Sequence, residues 1–488
     1  MSKTAIEGLK PEILWQRFYE ISQVPRPSKK EEKIRAHLRN VLQDLKLDFT
    51  EDKVGNIVAK VPATKGMENA PIVVLQGHVD MVCEKNKDKN FDFENDPIEL
   101  VKDNGWIKAD GTTLGSDNGI GVAASLAVVT DENVVHGPLE LLFTIDEETG
   151  LTGANNLQPG FVSGKLLLNM DSEEDGAFYI GCSGGIDTVG RLKLDFANTT
   201  NDYAQFELTV TGLKGGHSGL DIIQGRGNAI KILGRCLNKL SDTKLLINQI
   251  SGGSLRNAIP REAETIISIP SDSVKKAQKI IGDFENEVKN EFKTVDSGVK
   301  IVFQPSKSKS EKSFTKEITE KLISTIMALP HGVIAMSADI PGLVETSTNL
   351  ATIKMENDKL IIGTSQRSSI DSAKYFAGGS VASIFKLAGF DFNHTDGYPG
   401  WKPNVNSEIL KISKEVFKNL YNKEPEIKAI HAGLECGILE SKNPGMDMIS
   451  FGPTIQNAHS PDERVEIETV EKFYDLLKGI LKELANKN

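Results

Sequence analysis

Cysteine, aromatic side chains, long apolar runs and surplus positive charge are all scarce in this sequence. Its four cysteines, Cys83, Cys182, Cys236 and Cys436, stand far apart with no C-x-x-C pair. That spacing argues against a disulfide framework and against a structural zinc knuckle. Reduced thiols are expected. Lys and Arg number 57 against 68 Asp and Glu, a formal net charge of -11. A chain of that balance repels phosphate backbones, so no nucleic-acid partner is expected. No apolar stretch approaches the length of a membrane span. The opening MSKTAIEGLKPEILWQRFYEIS holds neither an apolar h-region nor a cleavage-like site. The expectation is a soluble, cytoplasmic protein with no membrane partner.

With 488 residues, of which 39% are hydrophobic and 26% charged, the chain is globular and too long for one ordinary core. Two domains are expected. Ser28-Lys29-Lys30-Glu31 has the form of a capping box, opening a helix that runs to about Leu45. Near-continuous apolar runs at 71–76, 139–145 and 165–170 suit strands buried on both faces, and a helix is expected over 118–130. From about 186 the pattern changes to alternating strands, at 206–212, 244–251 and 264–269, interleaved with helices. The buried α/β pattern returns after 396 and ends in a helix over about 467–486. The reading is α/β, with a sheet covered by helices over 1–185 and 396–488, interrupted by an α+β segment over 186–395.

The chemistry collects where these runs end. His78 and Asp80 follow one strand in LQGHVDMV, two residues apart and so facing the same way if the strand persists. One can ligate a metal while the other orients it. Asp117, in GTTLGSDNGIG, opens a helix; it can be an N-cap, a carboxylate spanning two ions, or both, since a helix start positions a carboxylate rigidly. Glu147 and Glu148 follow the strand in FTIDEETG. In an extended chain they face opposite ways, so that one binds metal and the other meets substrate. Asp171 follows LLLNM, and His459 lies in the loop after MDMISFG. Strand-end segments carrying such residues converge on one edge of an α/β sheet. His78, Asp117, Glu148, Asp171 and His459 make two imidazoles and three carboxylates. If Asp117 is shared, each of two ions receives one His, one terminal carboxylate and the bridge, with a position left for water. Such ligands suit zinc, and also cobalt or manganese.

The ordered series G-H-x-D, G-S-D-N-G, D-E-E-T-G, N-M-D and N-A-H-S-P resembles the di-zinc metallopeptidase family of carnosinase, aminoacylase and glutamate carboxypeptidase. DNGWIKADGTTLGSDNGIG, LFTIDEETGLTGA and HAGLECG are most similar to its aminoacyl-histidine dipeptidase branch. The resemblance runs from near residue 10 to the end. It implies a three-layer catalytic domain with a mixed sheet, interrupted by an inserted lid domain. It implies two divalent ions, with His78 and His459 at separate metals, Glu148 and Asp171 as terminal carboxylates, and Asp117 as bridge. Glu147 would be general base to a metal-bridging hydroxide, and Asp80 would orient His78. In the lid, His217 of GGHSG would stabilise the oxyanion, while Asn257, Arg367 and Gly433 would hold the substrate. Asp rather than Glu at position 171 is what the family's aminopeptidases and dipeptidases carry.

The implied activity is hydrolysis of Xaa-His and related free-amino dipeptides, β-alanyl-histidine included. The alternatives are an N-acyl amino acid hydrolase or carboxypeptidase, and a catalytically dead peptide binder. Small members of the family dimerise through the lid, which leaves a homodimer open here. His37, His136, His331, His394 and His431 have no motif reason to be ligands and are expected in surface or structural roles.

Overall fold

In the computed structural model, residues 2–395 and 397–487 are described. Met1, Asp396 and Asn488, which bound the expected segments, lie outside them. The chain forms two compact units. The first comprises 1–181, 403–429 and 434–488, and the second 182–402 with 430–433. The sequence reading places the inserted segment at 186–395; the second unit begins at 182, runs to 402 and also takes in 430–433, which that reading assigns to the first. At the first edge, strand Gly184–Lys193 pairs along its length with Lys359–Ser368 of the second unit. At the other, Trp401 and Tyr398 bridge back to Cys182 and Gly185, which draws 397–402 into the second unit.

The first unit carries most of an eight-stranded sheet. Its order is Asp48–Glu51, Ile57–Val61, Leu139–Thr144, Val73–His78, Leu166–Asn169, Asp447–Ser450, Ala177–Cys182 and Glu426–Ile430. The four strands Leu139–Thr144, Val73–His78, Leu166–Asn169 and Asp447–Ser450 run parallel. All six residues of Val73–His78 and of Leu139–Thr144 are buried, as strands covered on both faces must be. The helix Ser116–Thr130, rich in Ala, Gly and Val, is buried nearly throughout. Small side chains let it approach closely. A Cβ on Gly121 would lie 2.8 Å from the Met170 carbonyl oxygen, so glycine is needed there.

The second unit is a nine-stranded sheet with helices, including Ala229–Lys239, Val274–Glu291, Lys316–Ala328 and Asp371–Leu387. Its strand pairs are antiparallel. Its core is aliphatic, built around residues such as Leu237, Ile247, Ile267, Leu322 and Ile362. The alternating texture read after 186 is seen in strands such as Tyr203–Thr211 and Ala263–Pro270, whereas Val344–Glu356 and Lys359–Ser368 are buried along most of their length.

One local expectation fails. The helix Glu32–Asp44 has no side-chain cap. Ser28 Oγ donates instead to Asp80 Oδ2 at 2.7 Å, and Glu31 Oε1 accepts from Lys29 N and Asp146 N. Both members of the apparent capping box are taken up by buried partners distant in sequence.

Candidate metal centre

The four parallel strands end on the same edge, and the polar residues that follow them meet there. His78 is the last residue of its strand and is buried. Its Nε2 lies 3.0 Å from Asp117 Oδ1 and 3.3 Å from Asp171 Oδ1. His459 Nε2 lies 3.2 Å from Asp117 Oδ2 and 3.0 Å from Glu148 Oε2. Asp117 therefore turns one oxygen to each imidazole. The carboxylates divide between them, Asp171 with His78 and Glu148 with His459. The Asp117 backbone is extended (φ -81°, ψ 112°) just before the regular helix begins, but its side chain does not cap that helix, because both of its oxygens face the imidazoles.

Glu147 and Glu148 are not extended. They open a short helical turn, Glu147–Gly150, behind Asp146 in the left-handed region at φ 48°. Successive side chains there diverge by the helical repeat rather than by alternation. Asp80 pins this turn, accepting from Glu147 N at 3.1 Å and Glu148 N at 3.3 Å. The same Oδ1 lies 3.4 Å from His78 Nδ1, so one carboxylate faces the imidazole and fixes the glutamates together.

Two groups, Arg26 and Glu435, are given no role by the sequence reading, although Glu435 lies within HAGLECG. Buried Arg26 donates from Nη1 to the carbonyls of Val79 and Asp80, each at 3.0 Å, and from Nη2 to the Gly115 carbonyl. It joins the strand end after His78 to the loop before Asp117. Glu435, fully buried, accepts from Gln76 Nε2 at 2.6 Å and Thr144 Oγ1 at 2.7 Å. These bonds reach 53 to 89 residues along the chain for Arg26 and 291 to 359 for Glu435, and no local pattern announces them.

The cluster is anionic beyond what its imidazoles balance. Burial, then repulsion from Asp117 and Glu148, pushes Asp171 up to about 7 against the pull of His78. Burial likewise raises Glu147 well above the usual carboxylate range. Burial works against the charged form of His78, but Asp171, Asp117 and Asp80 outweigh it and hold the imidazole well above its ordinary value. Hydrogen bonds to Asp117 and Glu148 push His459 up to about 11. A bound cation reverses this logic, favouring ionised carboxylates and neutral imidazoles.

The donor set fits divalent cations. Glu148 Oε1 is buried without a hydrogen-bond partner, and Asp171 Oδ1 and His78 Nδ1, also buried, have only the ion-pair contacts to His78 and Asp80 given above. Donor atoms of His78, Asp117 and Asp171 lie within 4.8 Å of one another, as do those of Asp117, Glu148 and His459. Two ligands of one tetrahedral zinc ion stand about 3.3 Å apart, close to the spacings here. His78, Glu147 and Glu148 form another such group, and the wholly acidic group Glu31, Asp80 and Asp146 is equally compact. Its oxygens are engaged by the Ser28 hydroxyl, the amides of Lys29, Asp146, Glu147 and Glu148, and the hydroxyls of Thr149 and Thr152.

The second unit holds the remaining predicted residues. His217 Nδ1 accepts from Gly219 N and Leu220 N, which leaves the ring hydrogen on Nε2. Burial, then the charge of Arg367, holds this imidazole below its ordinary value and neutral. Arg367 is buried, donates to Tyr398 Oη at 3.0 Å, and keeps Nε without a partner. Gly433 packs on the same tyrosine, where a Cβ would lie 2.9 Å from the ring. Asn257 is exposed, and its carbonyl accepts from Ser218 N.

Of the histidines expected to be structural, His431 is buried between two hydroxyls, Ser183 Oγ at 2.6 Å and Ser347 Oγ at 2.7 Å.

The family model for Peptidase family M20/M25/M40 matches residues 74–483. The cytosol non-specific dipeptidase of Escherichia coli K12 is 42% identical over 483 residues, 99% of each chain. The crystal structure of aminoacylhistidine dipeptidase from Vibrio alginolyticus superposes with a TM-score of 0.92 at 41% identity, over 98% of each chain. Aminopeptidase PepT from Bacillus cereus shares the fold at 16% identity, with a TM-score of 0.58 over 98% of this chain and 100% of its own.

Burial first, and then the charge of Arg367, pushes His431 down to about 3 from its ordinary 6.5. Its folded value is thus below its unfolded one. The stability it contributes is present in full above about pH 6.5 and is lost as pH falls toward 3, by up to about 1.4 kcal/mol per pH unit. Denaturant unfolding of His431→Gln between pH 4 and 7 should show a flatter acid limb than the unsubstituted chain. An identical limb contradicts the buried, neutral imidazole.

Proposed function

The chain belongs to peptidase family M20/M25/M40, and we propose that it is a two-cation dipeptidase acting on dipeptides with a free amino terminus, Xaa-His and β-alanyl-histidine among them. The observation that carries this reading is Asp117, one oxygen against each of two His–carboxylate pairs. Full-length similarity to two proteins named dipeptidases supports the substrate class. The two names differ in breadth, and the histidine preference belongs to the proposal. Asp171, rather than Glu, favours a dipeptidase over an acyl amino acid hydrolase. Zinc best suits the mixed imidazole and carboxylate donors, with cobalt and manganese as alternatives. The likeness to a cytosol enzyme supports a cytoplasmic site of action.

His78, Asp171, Asp117, Glu148 and His459 would hold the ions. When bound, these supply an acidified water and Lewis-acid pull on the scissile carbonyl. The rest falls to the chain's own groups. Glu147, next to a ligand but outside the set, takes the proton of the attacking water and passes it to the leaving amine. Its raised affinity for protons suits the second half of that task. Asp80 keeps His78 and the Glu147 turn in one orientation. His217 Nε2–H is a neutral donor suited to the oxyanion. The free edge of the Arg367 guanidinium suits the substrate's terminal carboxylate. Asn257 and the Gly433 backbone would complete that hold, and the second unit would act as lid.

Release of amino acids should be measured on Ala-His, β-alanyl-histidine, other free dipeptides and N-acetyl amino acids. Hydrolysis of the free dipeptides, histidine in second place included, is expected. Hydrolysis of the acetylated set alone overturns the reading. Glu147→Gln should lower kcat by about 10²–10⁴, with KM and metal content near those of the unsubstituted chain. An unchanged kcat removes Glu147 from the proton path.

A further inference from the structure

We infer that Glu463 is a positioning residue that ties the loop of His459 to the loop of Asp117 and holds the His459–Glu148 half of the centre together. Glu463 is buried. Its Oε2 accepts from Leu114 N at 2.8 Å and Gly115 N at 2.9 Å. Its Oε1 accepts from Ser116 N at 2.7 Å, from Ser116 Oγ at 2.6 Å, and from Asp117 N at 3.4 Å. One carboxylate thus receives the consecutive amides that lead into Asp117. On the same loop, Arg26 holds the carbonyl of Gly115. The segment before the shared ligand is clamped by an anion at its N–H groups and by a cation at a C=O. Neither charge touches the cations' own ligand atoms. Charge-assisted bonds of this kind, on buried backbone, fix geometry more firmly than neutral ones.

The two halves of the centre do not depend on this clamp equally. His78 ends a buried strand paired on both sides, and Asp171 follows another. His459 is half exposed, in a loop where Asn457 and His459 both adopt positive φ. That loop ends at Glu463, whose amide donates to the Ser460 carbonyl to close the turn, and its side chain spans to the Asp117 loop. Without the Glu463 carboxylate, Arg26 still holds the Asp117 loop to the strand end after His78. The His459 loop keeps the hairpin pairing at its base, Ile455 with Val465 and Gln456 with Arg464, but apart from His459 itself no other side chain among the described residues ties it to the Asp117 loop. The His459–Glu148 subsite therefore loses most, and the His78–Asp171 subsite keeps its frame.

This rests on the two-cation reading, and cobalt titration separates the two. Metal-free protein is titrated with Co²⁺ and followed by visible absorption, alongside thermal unfolding. The unsubstituted chain should take up two equivalents, and His459→Ala should keep only the first. Glu463→Ala should resemble His459→Ala, with the first equivalent retained and the second weakened roughly tenfold to a hundredfold, as for other groups that orient metal ligands. Glu463→Gln keeps size and acceptor oxygen while losing the charge, and should show a smaller loss on the same equivalent. If the alanine variant does not fold, the glutamine variant decides by that criterion. Equal weakening of both equivalents, or of neither, overturns the inference. Failure of the unsubstituted chain to bind cobalt overturns the two-cation reading itself.

Discussion

Everything in the centre is arranged around one shared carboxylate. Asp117 sets Oδ1 against His78 and Oδ2 against His459, residues separated by most of the chain. For this to happen, the parallel strands must end level, so that His78, the Glu147 turn and Asp171 emerge at one edge. The helix Ser116–Thr130 must also lie close enough to deliver its first residues there. The small side chains of that helix and the lack of a Cβ at Gly121 permit the approach. Asn118, next in sequence, anchors the helix start by donating from Nδ2 to the Met170 carbonyl at 2.6 Å. Asp117 is thus held in place by its neighbour in sequence as well as by the helix it opens.

Electrostatics explain why such a cluster needs a partner. Asp80, Asp117, Glu147, Glu148 and Asp171 converge on two imidazoles in a buried setting. Isolated buried carboxylates are costly, and the raised proton affinities of Asp171 and Glu147 express that cost. Divalent cations relieve it directly. A polar layer stands behind the ligands. Asp80 fixes the glutamate turn, and Glu435, itself pushed up to about 7 by burial, is bonded to Gln76 and Thr144 on adjacent strands. The site's geometry is thereby written into the sheet rather than left to its loops, with the His459 loop as the exception.

Much of this was legible in the sequence because the signals are local. An unbroken apolar run such as VVLQ, followed at once by His or a carboxylate, declares both a buried strand and a functional end. The change to alternating strands near 186 marked the second unit. What stayed hidden depends on partners distant in sequence. Ser28 and Glu31 had the spacing of a capping box, yet buried Asp80 and Asp146 compete for them and win. Glu147 and Glu148 looked like strand continuation, but a left-handed Asp146 turns the chain into a helical step. Arg26, Glu435 and Glu463 are single charged residues whose worth lies in which backbone groups they meet. The edges of the second unit moved because Trp401 and Tyr398 bridge back to the residues beside Cys182. Such pairings form only in the fold.

The central claim is that Asp117 joins two cation subsites into one centre. Anomalous diffraction at the zinc edge, from crystals of the zinc-loaded chain, tests it most directly. The account predicts two peaks of comparable height, about 3.5–4 Å apart, one beside His78 and Asp171 and the other beside His459 and Glu148, with an oxygen of Asp117 on each. A single peak, or two peaks that do not share Asp117, would contradict it.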